Sequence, residues 1–171
     1  GCSGLTSITI PDSVTSIGVY AFYECSGLTS VTIGNSVTSI GGLAFSYCGG
    51  LTTVNWNATE CTTECTINDD PIFRGCTKLS TVNIGNNVTT IPSNAFRGCN
   101  GLTSITIPDS VTSIGGLAFY GCESLTKIRF NGTCEEWQNI TKGYEWNNGT
   151  GNYTVYCTDG TVSKDGTVTK A

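Results

Sequence analysis

The sequence has no histidine, and only 12% of its 171 residues are charged. Histidine is the commonest general base in enzymes, and its absence excludes the Ser-His and Cys-His pairs of nucleophilic catalysis. Glycosidases need two facing carboxylates. Acidic residues cluster only at residues 60–70 and at Glu135 and Glu136, and both groups are typical of solvated charge in a loop or at a helix start. The sequence therefore predicts a protein that is not an enzyme and that uses no cofactor.

A basic stretch is also missing. The net charge of -5 and the isoelectric point near 4.5 leave no positive stripe to neutralise phosphates, which argues against nucleic acid and anionic lipid as partners. No apolar run approaches the ~20 residues of a membrane helix. There is no CxxC pair, and Asn68-Asp69-Asp70 lacks the spaced ligands, glycine and distal glutamate of a calcium loop. We therefore predict no metal site.

The chain is built from a repeat of 23 residues. The segment CNGLTSITIPDSVTSIGGLAFYG, residues 99–121, recurs almost unchanged at residues 2–24, and its pattern recurs at residues 25–47 and 76–98. A fixed period repeated this closely is typical of a solenoid, in which each unit buries its apolar face against its neighbours. The low charge, with 22 glycines and abundant Thr and Ser, favours β structure and tight turns over free-standing helices.

Each repeat carries an LxxLxL pattern, and its last part alternates with period two as a half-buried strand does. The apolar positions of the six copies are Leu5, Ile8 and Ile10; Leu28, Val31 and Ile33; Leu51, Val54 and Trp56; Leu79, Val82 and Ile84; Leu102, Ile105 and Ile107; and Leu125, Ile128 and Phe130. We therefore expect six parallel strands, stacked at ~4.8 Å.

The rest of the repeat forms the return path. A Pro or Gly turn ends each strand, and a second short β segment follows, as at residues 14–17. The Ala-Phe pair after it, as in Ala21-Phe22, predicts one tight helical or 3-10 turn leading to the next Cys. Stacked Phe rings would then form an aromatic column. The expected fold is a leucine-rich-repeat solenoid, mostly β, right-handed and gently curved, with a parallel sheet on one face.

The motif LxxIxIPxxVxxIGxxAFxxC resembles the BspA-like leucine-rich repeats of bacterial surface proteins, over about residues 2–157. The resemblance implies a non-enzymatic, extracellular or cell-surface module that adheres to host or microbial surface proteins, matrix or glycans. No Asn ladder follows the strands, unlike in common leucine-rich repeats, so that part of the wider family's architecture is not expected here.

The third repeat, residues 48–75, departs from the pattern because it has 28 residues. An insertion at residues 57–70 precedes Ile72-Phe73, which restores the register of the Ala-Phe pair. Insertions in repeat proteins form loops on one face and sometimes carry binding, although a tolerated bulge is the alternative. The polar residues of this candidate binding loop are Glu60, Glu64, Asn68, Asp69 and Asp70.

The period ends after Phe130, so we divide the chain into repeats at residues 1–130 and a C-terminal cap at residues 131–171. Thr133 to Glu136 is a capping-box pattern and predicts a short amphipathic helix. A strand at residues 153–156 and a hairpin turn at residues 164–167 follow. We expect this end to be the natural end of the array. Gly1 already lies within a repeat, which indicates a fragment of a longer chain whose leader would lie outside it.

Six of the ten cysteines occupy one repeat position. They are Cys2, Cys25, Cys48, Cys76, Cys99 and Cys122. Stacked in register they would lie ~4.8 Å apart, beyond the ~3.5–4.5 Å between Cβ atoms that a disulfide needs. The spacing therefore predicts a buried column of free thiols.

The other four cysteines are Cys61 and Cys65 in the insertion and Cys134 and Cys157 in the cap. Cys134 and Cys157 are the candidates for a disulfide, because the helix and the returning strand must pack together there. Two free thiols are the alternative.

The exposed strand positions form the candidate binding face. They are Thr6, Ser7, Thr9, Thr29, Ser30, Thr32, Thr52, Thr53, Asn55, Ser80, Thr81, Asn83, Thr103, Ser104, Thr106, Thr126, Lys127 and Arg129. A wide, hydroxyl-rich face suits weak multivalent binding. However, threonine also favours strands and keeps them soluble. A structural spacer without a ligand of its own is therefore the second hypothesis. An ice-binding array is a third and remote alternative, because the face does not keep the paired threonines that it would need.

Overall fold

The repeats form a solenoid whose coils stack parallel strands on one side. The computed structural model describes residues 1–64 and 70–171, except for the side chains of residues 63 and 64. The strands of this large sheet are β1 (Ser7–Ile10), β3 (Ser30–Ile33), β5 (Thr53–Trp56), β7 (Thr81–Ile84), β9 (Ser104–Ile107), β11 (Lys127–Phe130) and β13 (Thr154–Cys157). Equivalent residues pair, as Ile8 does with Val31 and Val31 with Val54. The six predicted parallel strands are confirmed, and β13 adds a seventh.

The return path carries a second line of short strands. They are β2 (Ser16–Ile17), β4 (Ser39–Gly41), β6 (Thr62–Glu64), β8 (Thr90–Ile91), β10 (Ser113–Ile114) and β12 (Thr141–Lys142). They form two separate sheets, of β2, β4 and β6 and of β8, β10 and β12. The break falls at the irregular repeat. Within it, Cys61 is fully buried and the Thr62 amide donates to the Thr38 carbonyl, so part of the predicted insertion completes a coil.

A column of aromatic rings runs through the core. Phe45 stacks on Phe22 at 4.9 Å between ring centroids and on Phe73 at 5.5 Å, and Phe96 stacks on Phe73 at 5.9 Å and on Phe119 at 5.5 Å. The predicted column is therefore confirmed. It also confirms that the irregular repeat regains its register at Phe73.

The segments that carry the Ala-Phe pairs are turns. Amide-to-carbonyl bonds three residues apart, such as Tyr23 to Tyr20 at 3.1 Å, have the spacing of a 3-10 helix. However, Tyr20 and Glu24 have left-handed backbones, with φ of 60° and 56°. A left-handed residue interrupts a right-handed helix, so the predicted short 3-10-like turn is not extended into a longer helix.

The C-terminal segment closes the array. Helix α1 (Cys134–Asn139) begins with the predicted capping box: the Glu136 amide donates to the Thr133 hydroxyl at 3.2 Å, and the Thr133 amide donates to the Glu136 carboxylate at 2.7 Å. Strands β14 (Gly160–Ser163) and β15 (Val168–Lys170) extend the large sheet: β14 pairs antiparallel with β13, and β15 pairs antiparallel with β14 across the predicted turn. Since β12 and β13 still pair with the last repeat, the solenoid continues into this segment.

The repeated cysteines form the predicted thiol column. All but the terminal Cys2 are buried, and the thiols of Cys48, Cys76 and Cys122 each donate to a Phe carbonyl of the preceding coil at 3.1 Å. Burial raises the pKa of Cys122 to about 12 and that of Cys99 well above its usual value. These three thiols thus add hydrogen bonds between neighbouring coils, and burial disfavours the thiolate form of Cys99 and Cys122.

Alkylation at pH 8 should distinguish the column from its exposed end. We expect iodoacetamide to label Cys2 in the native protein at least ~100-fold faster than Cys99 or Cys122, because only the thiolate reacts. Peptide mass spectrometry of labelled samples, with guanidinium-unfolded protein as the control, measures the ratio. Equal native labelling of Cys122 and Cys2 would contradict a buried column.

Candidate functional site

The predicted binding face lies on the outer side of the large sheet. Every residue of that face is exposed or half-buried, while the alternate residues such as Val31 and Val54 are fully buried. At its C-terminal end, the Lys127 ammonium lies 5.0 Å from the ring centre of Tyr156, which is 45% exposed. The face is therefore accessible, and its one aromatic contribution comes from the cap.

Several hydroxyls of this face bond within the protein. Thr29 donates to the Thr6 carbonyl at 2.9 Å, and Thr52 donates to the Thr29 carbonyl at 3.1 Å. The Asn55 amide donates to the Thr32 hydroxyl at 3.1 Å. These side chains tie neighbouring coils together, so much of the hydroxyl array has a structural use.

The candidate binding loop is described only at its ends. Glu60 is exposed, and Asp70 lies 4.0 Å from the Arg74 guanidinium. Asn68, Asp69 and the side chain of Glu64 lie outside the described residues. Among the side chains that the structure describes, which leave out those of residues 63–69, no three His, Cys, Asp or Glu side chains group as metal ligands would.

The cap brings Cys134 and Cys157 together. Both are free thiols, and they lie close enough for Cys134 to shift the pKa of Cys157. Burial, followed by the neighbouring Cys134 thiol, raises the pKa of Cys157 to about 12. The expected packing of helix against strand is present, and the disulfide itself stays a prediction.

A line of Tyr and Arg side chains, which the sequence analysis missed, follows the turns on the edge of the solenoid. We call it the turn edge and define it as Tyr20, Tyr23, Tyr47, Arg74, Arg97, Tyr120 and Tyr144. The Tyr23 ring meets those of Tyr20 and Tyr47 edge-to-face at 5.3 and 5.6 Å. Tyr20, Tyr47 and Tyr144 are 54%, 44% and 77% exposed.

The second half of the turn edge surrounds a cavity of about 360 Å³, lined by Arg74, Arg97 and Tyr120. The Arg97 guanidinium lies 5.3 Å from the centre of the Tyr120 ring. A hydrogen bond with Glu145 is the main reason that the pKa of Tyr144 is raised, and the nearby Tyr120 adds to it. Tyr120 therefore lies next to Arg97 in the repeats and near Tyr144 in the cap.

Glycines form the floor of this cavity. Gly75, Gly98 and Gly121 have φ between 70° and 75°, in the left-handed position that Tyr47 occupies in the second repeat. A side chain on Gly75 would meet the Tyr47 ring at 2.7 Å. The cavity exists because these repeats have no side chain there. The sequence feature that could have indicated the turn edge and its cavity is the variable pair of residues after each Phe: YE, SY, RG, RG and YG.

Within the described residues, no helix is long and apolar enough to cross a membrane. A search of curated proteins found none that matches the chain. The chain is similar to a solved leucine-rich repeat protein from Bacteroides ovatus, with 30% identity and a TM-score of 0.60 over 90% of this chain. It spans 42% of the length of that protein.

Two further structures are similar. The T. pallidum leucine-rich repeat protein is 21% identical over 88% of this chain and 72% of its own, with a TM-score of 0.51, and supports the fold alone. A leucine-rich cell surface protein from Faecalibacterium prausnitzii is 36% identical over 75% of this chain and 40% of its own, with a TM-score of 0.42. The family model for the BspA type leucine-rich repeat region matches six copies, over residues 1–66 and 65–141. The chain therefore belongs to the BspA type leucine-rich repeat family.

Proposed function

We propose that the chain is a non-enzymatic, adhesion-type module of a bacterial cell surface, which binds proteins of host, matrix or other microbial cells. Membership of a family of bacterial surface repeat proteins supports this location. The observation that supports binding most is the turn edge, a line of exposed and half-buried Tyr and Arg residues along the turns of the solenoid. Tyr and Arg are the residues that, with Trp, dominate the energetics of protein interfaces.

The geometry of the turn edge suits such a contact. Tyrosine buries a large apolar ring on binding and keeps a hydroxyl for a hydrogen bond. The edge-to-face contacts of Tyr23 already fix its neighbours Tyr20 and Tyr47, so little side-chain entropy remains to be lost. The strand face is the second candidate surface, and it suits only a weaker contact because few aromatic residues lie on it.

A structural spacer is the competing function. The threonine hydroxyls that bond between coils, such as those of Thr29 and Thr52, favour it because they give the strand face a use without a ligand. The near-identity of the regular repeats favours it as well. The turn edge favours binding, because the pair of residues after each Phe, which supplies most of the turn edge, varies among the repeats and includes Tyr or Arg in each of them.

Binding to a panel of immobilised extracellular-matrix and cell-surface proteins tests the proposal. For a panel member that the chain captures, we expect the double variant Tyr47→Ala, Arg74→Ala to lose at least ~10-fold in affinity, because two interface anchors are removed. The control is Tyr156→Ala with Lys78→Ala, which removes a tyrosine and a cation away from the turn edge. This control should bind as the wild type does.

A third variant separates the two surfaces. Thr9, Thr81 and Thr106 point outward on the large sheet, and in the described part of the chain their hydroxyls make no hydrogen bond. Changing the three to lysine therefore alters the strand face without breaking inter-coil bonds. Loss of capture in this variant alone would assign binding to the strand face. Capture of no panel member would favour the spacer.

A further inference from the structure

A second cavity, of about 390 Å³, lies in the cap between α1, the segment that leads to β13, and the hairpin of β14 and β15. Its volume falls within the range of small-molecule sites, about 300–1,000 Å³. Three aromatic residues line it in a row: Trp137 is 6.0 Å from Trp146, and Trp146 is 6.1 Å from Tyr153, between ring centroids. The proposed protein contact at the turn edge does not use this cavity.

Two lysines on the cavity wall are held by backbone carbonyls. The Lys142 ammonium donates to the carbonyls of Trp137 at 2.6 Å and Ile140 at 3.0 Å. The Lys164 ammonium donates to the carbonyls of Thr150 at 2.9 Å and Gly151 at 3.3 Å. An ammonium has three protons, so each lysine keeps one donor beyond these two bonds.

Neither ammonium has a carboxylate within 4.0 Å among the described residues. Both lie near aromatic rings, Lys142 at 4.8 Å from Trp137 and Lys164 at 5.9 Å from Tyr153. Burial lowers the pKa of Lys142 to about 8. An anion in the cavity would relieve this desolvation, because a nearby opposite charge favours the protonated form.

The cavity also offers a fixed acceptor. Asp165 accepts through Oδ1 from the Ser163 hydroxyl at 2.5 Å and from the Thr167 amide at 2.9 Å. The Ser163 hydroxyl and then the Thr167 amide lower the pKa of Asp165 to about 2, so this carboxylate is ionised at neutral pH. A ligand that carries only negative charge would be repelled by Asp165, whereas a ligand with hydroxyl donors can bond to it.

We propose that this cap cavity binds an acidic sugar, with its carboxylate toward the ammoniums of Lys142 and Lys164, a hydroxyl on Asp165 and its ring against the Trp137–Trp146–Tyr153 row. A simple anion would use only the lysines. A neutral sugar would use Asp165 and the aromatic wall but would leave the two ammoniums without a counter-charge. A uronic acid matches all three features.

Titration of the whole chain with methyl glucuronide, followed by NMR or calorimetry at low ionic strength, tests the proposal. We expect binding tighter than about 10 mM, equivalent to at least ~2.7 kcal/mol. Methyl glucoside, which has a hydroxymethyl group in place of the carboxylate, and acetate, which has no sugar ring, should each bind at least tenfold more weakly.

Variants test the residues. Lys164→Gln and Lys142→Gln should each weaken glucuronide binding at least tenfold, and Lys78→Gln, the same charge change on an exposed repeat residue, should leave it unaltered. Circular dichroism checks that each variant is folded. Lys164→Gln is the decisive variant, because Lys142 also bonds carbonyls at the end of α1 and its replacement could weaken binding by disturbing that helix. Absence of glucuronide binding, equal binding of acetate or methyl glucoside, or an equal loss in Lys78→Gln would each overturn the proposal.

Discussion

Replacing Phe96 with alanine is expected to lower the free energy of unfolding by about 3–5 kcal/mol. Phe96 is fully buried at the centre of the aromatic column, between Phe73 and Phe119, and its ring also meets the edge of Trp56 at 5.7 Å. Alanine would remove the ring from three contacts at once and leave a cavity at the junction of two coils. In a solenoid each coil is stabilised only by its neighbours, so loss of the Phe96 ring also weakens the interaction between the coils on either side of it.

Denaturant unfolding followed by circular dichroism and by tryptophan fluorescence measures this loss. The two probes should shift together if the array unfolds as one unit. Tyr144→Ala is the control, because its side chain is 77% exposed, and it should change the unfolding free energy by no more than about 0.5 kcal/mol. A cost of Phe96→Ala as small as that of the control would contradict the central role of the column.

The core could be predicted from the sequence because one coil specifies the others. Leu28, Val31 and Ile33 repeat with the period of the chain, and a residue that is buried in one inner coil is buried in the same place in the next. The capping box at Thr133 and Glu136 was also predictable, because it depends on residues three apart. Local spacing and a fixed period were sufficient for both.

The turn edge could not be predicted in the same way. Tyr23 and Tyr47 are 24 positions apart in the chain, and their contact depends on where the left-handed turns aim each side chain. The hydrogen bonds that threonine side chains make between coils could not be predicted for the same reason. The pattern predicted that Thr29 is exposed, but its bond to the Thr6 carbonyl depends on the stagger of neighbouring coils. Surface chemistry in a repeat protein follows the geometry of stacking as well as the repeat itself.

The distribution of charge links the two proposed sites. All eight Lys and Arg residues follow Phe73, whereas six of the thirteen Asp and Glu residues precede it. Arg74 at the turn edge and Lys142 and Lys164 in the cap therefore belong to the same half of the solenoid. An acidic partner or ligand would be steered toward this half and away from the first repeats.

Replacing Gly115 with alanine is the second large effect that we expect, a loss of about 3 kcal/mol in the free energy of unfolding. A Cβ at this position would lie 2.3 Å from the backbone nitrogen of Ser93 and 2.7 Å from its Cα. Backbone atoms cannot move aside as a side chain does, so the two coils would have to separate. Their separation would strain the bond from the Gly115 amide to the Ile91 carbonyl, now 2.8 Å.

Gly18 provides a matched control for this substitution. It follows Ile17 as Gly115 follows Ile114, but a Cβ there would meet nothing within 4 Å. Gly18→Ala should therefore leave the stability unchanged or raise it by up to about 1 kcal/mol, because alanine restricts the unfolded chain. The same denaturant experiment measures both variants. The two glycines differ mainly in whether the backbone of another coil lies against them. The difference in unfolding free energy between the two variants therefore measures the cost of forcing neighbouring coils apart. Equal effects of the two substitutions would rule out close backbone stacking as the reason for glycine at position 115.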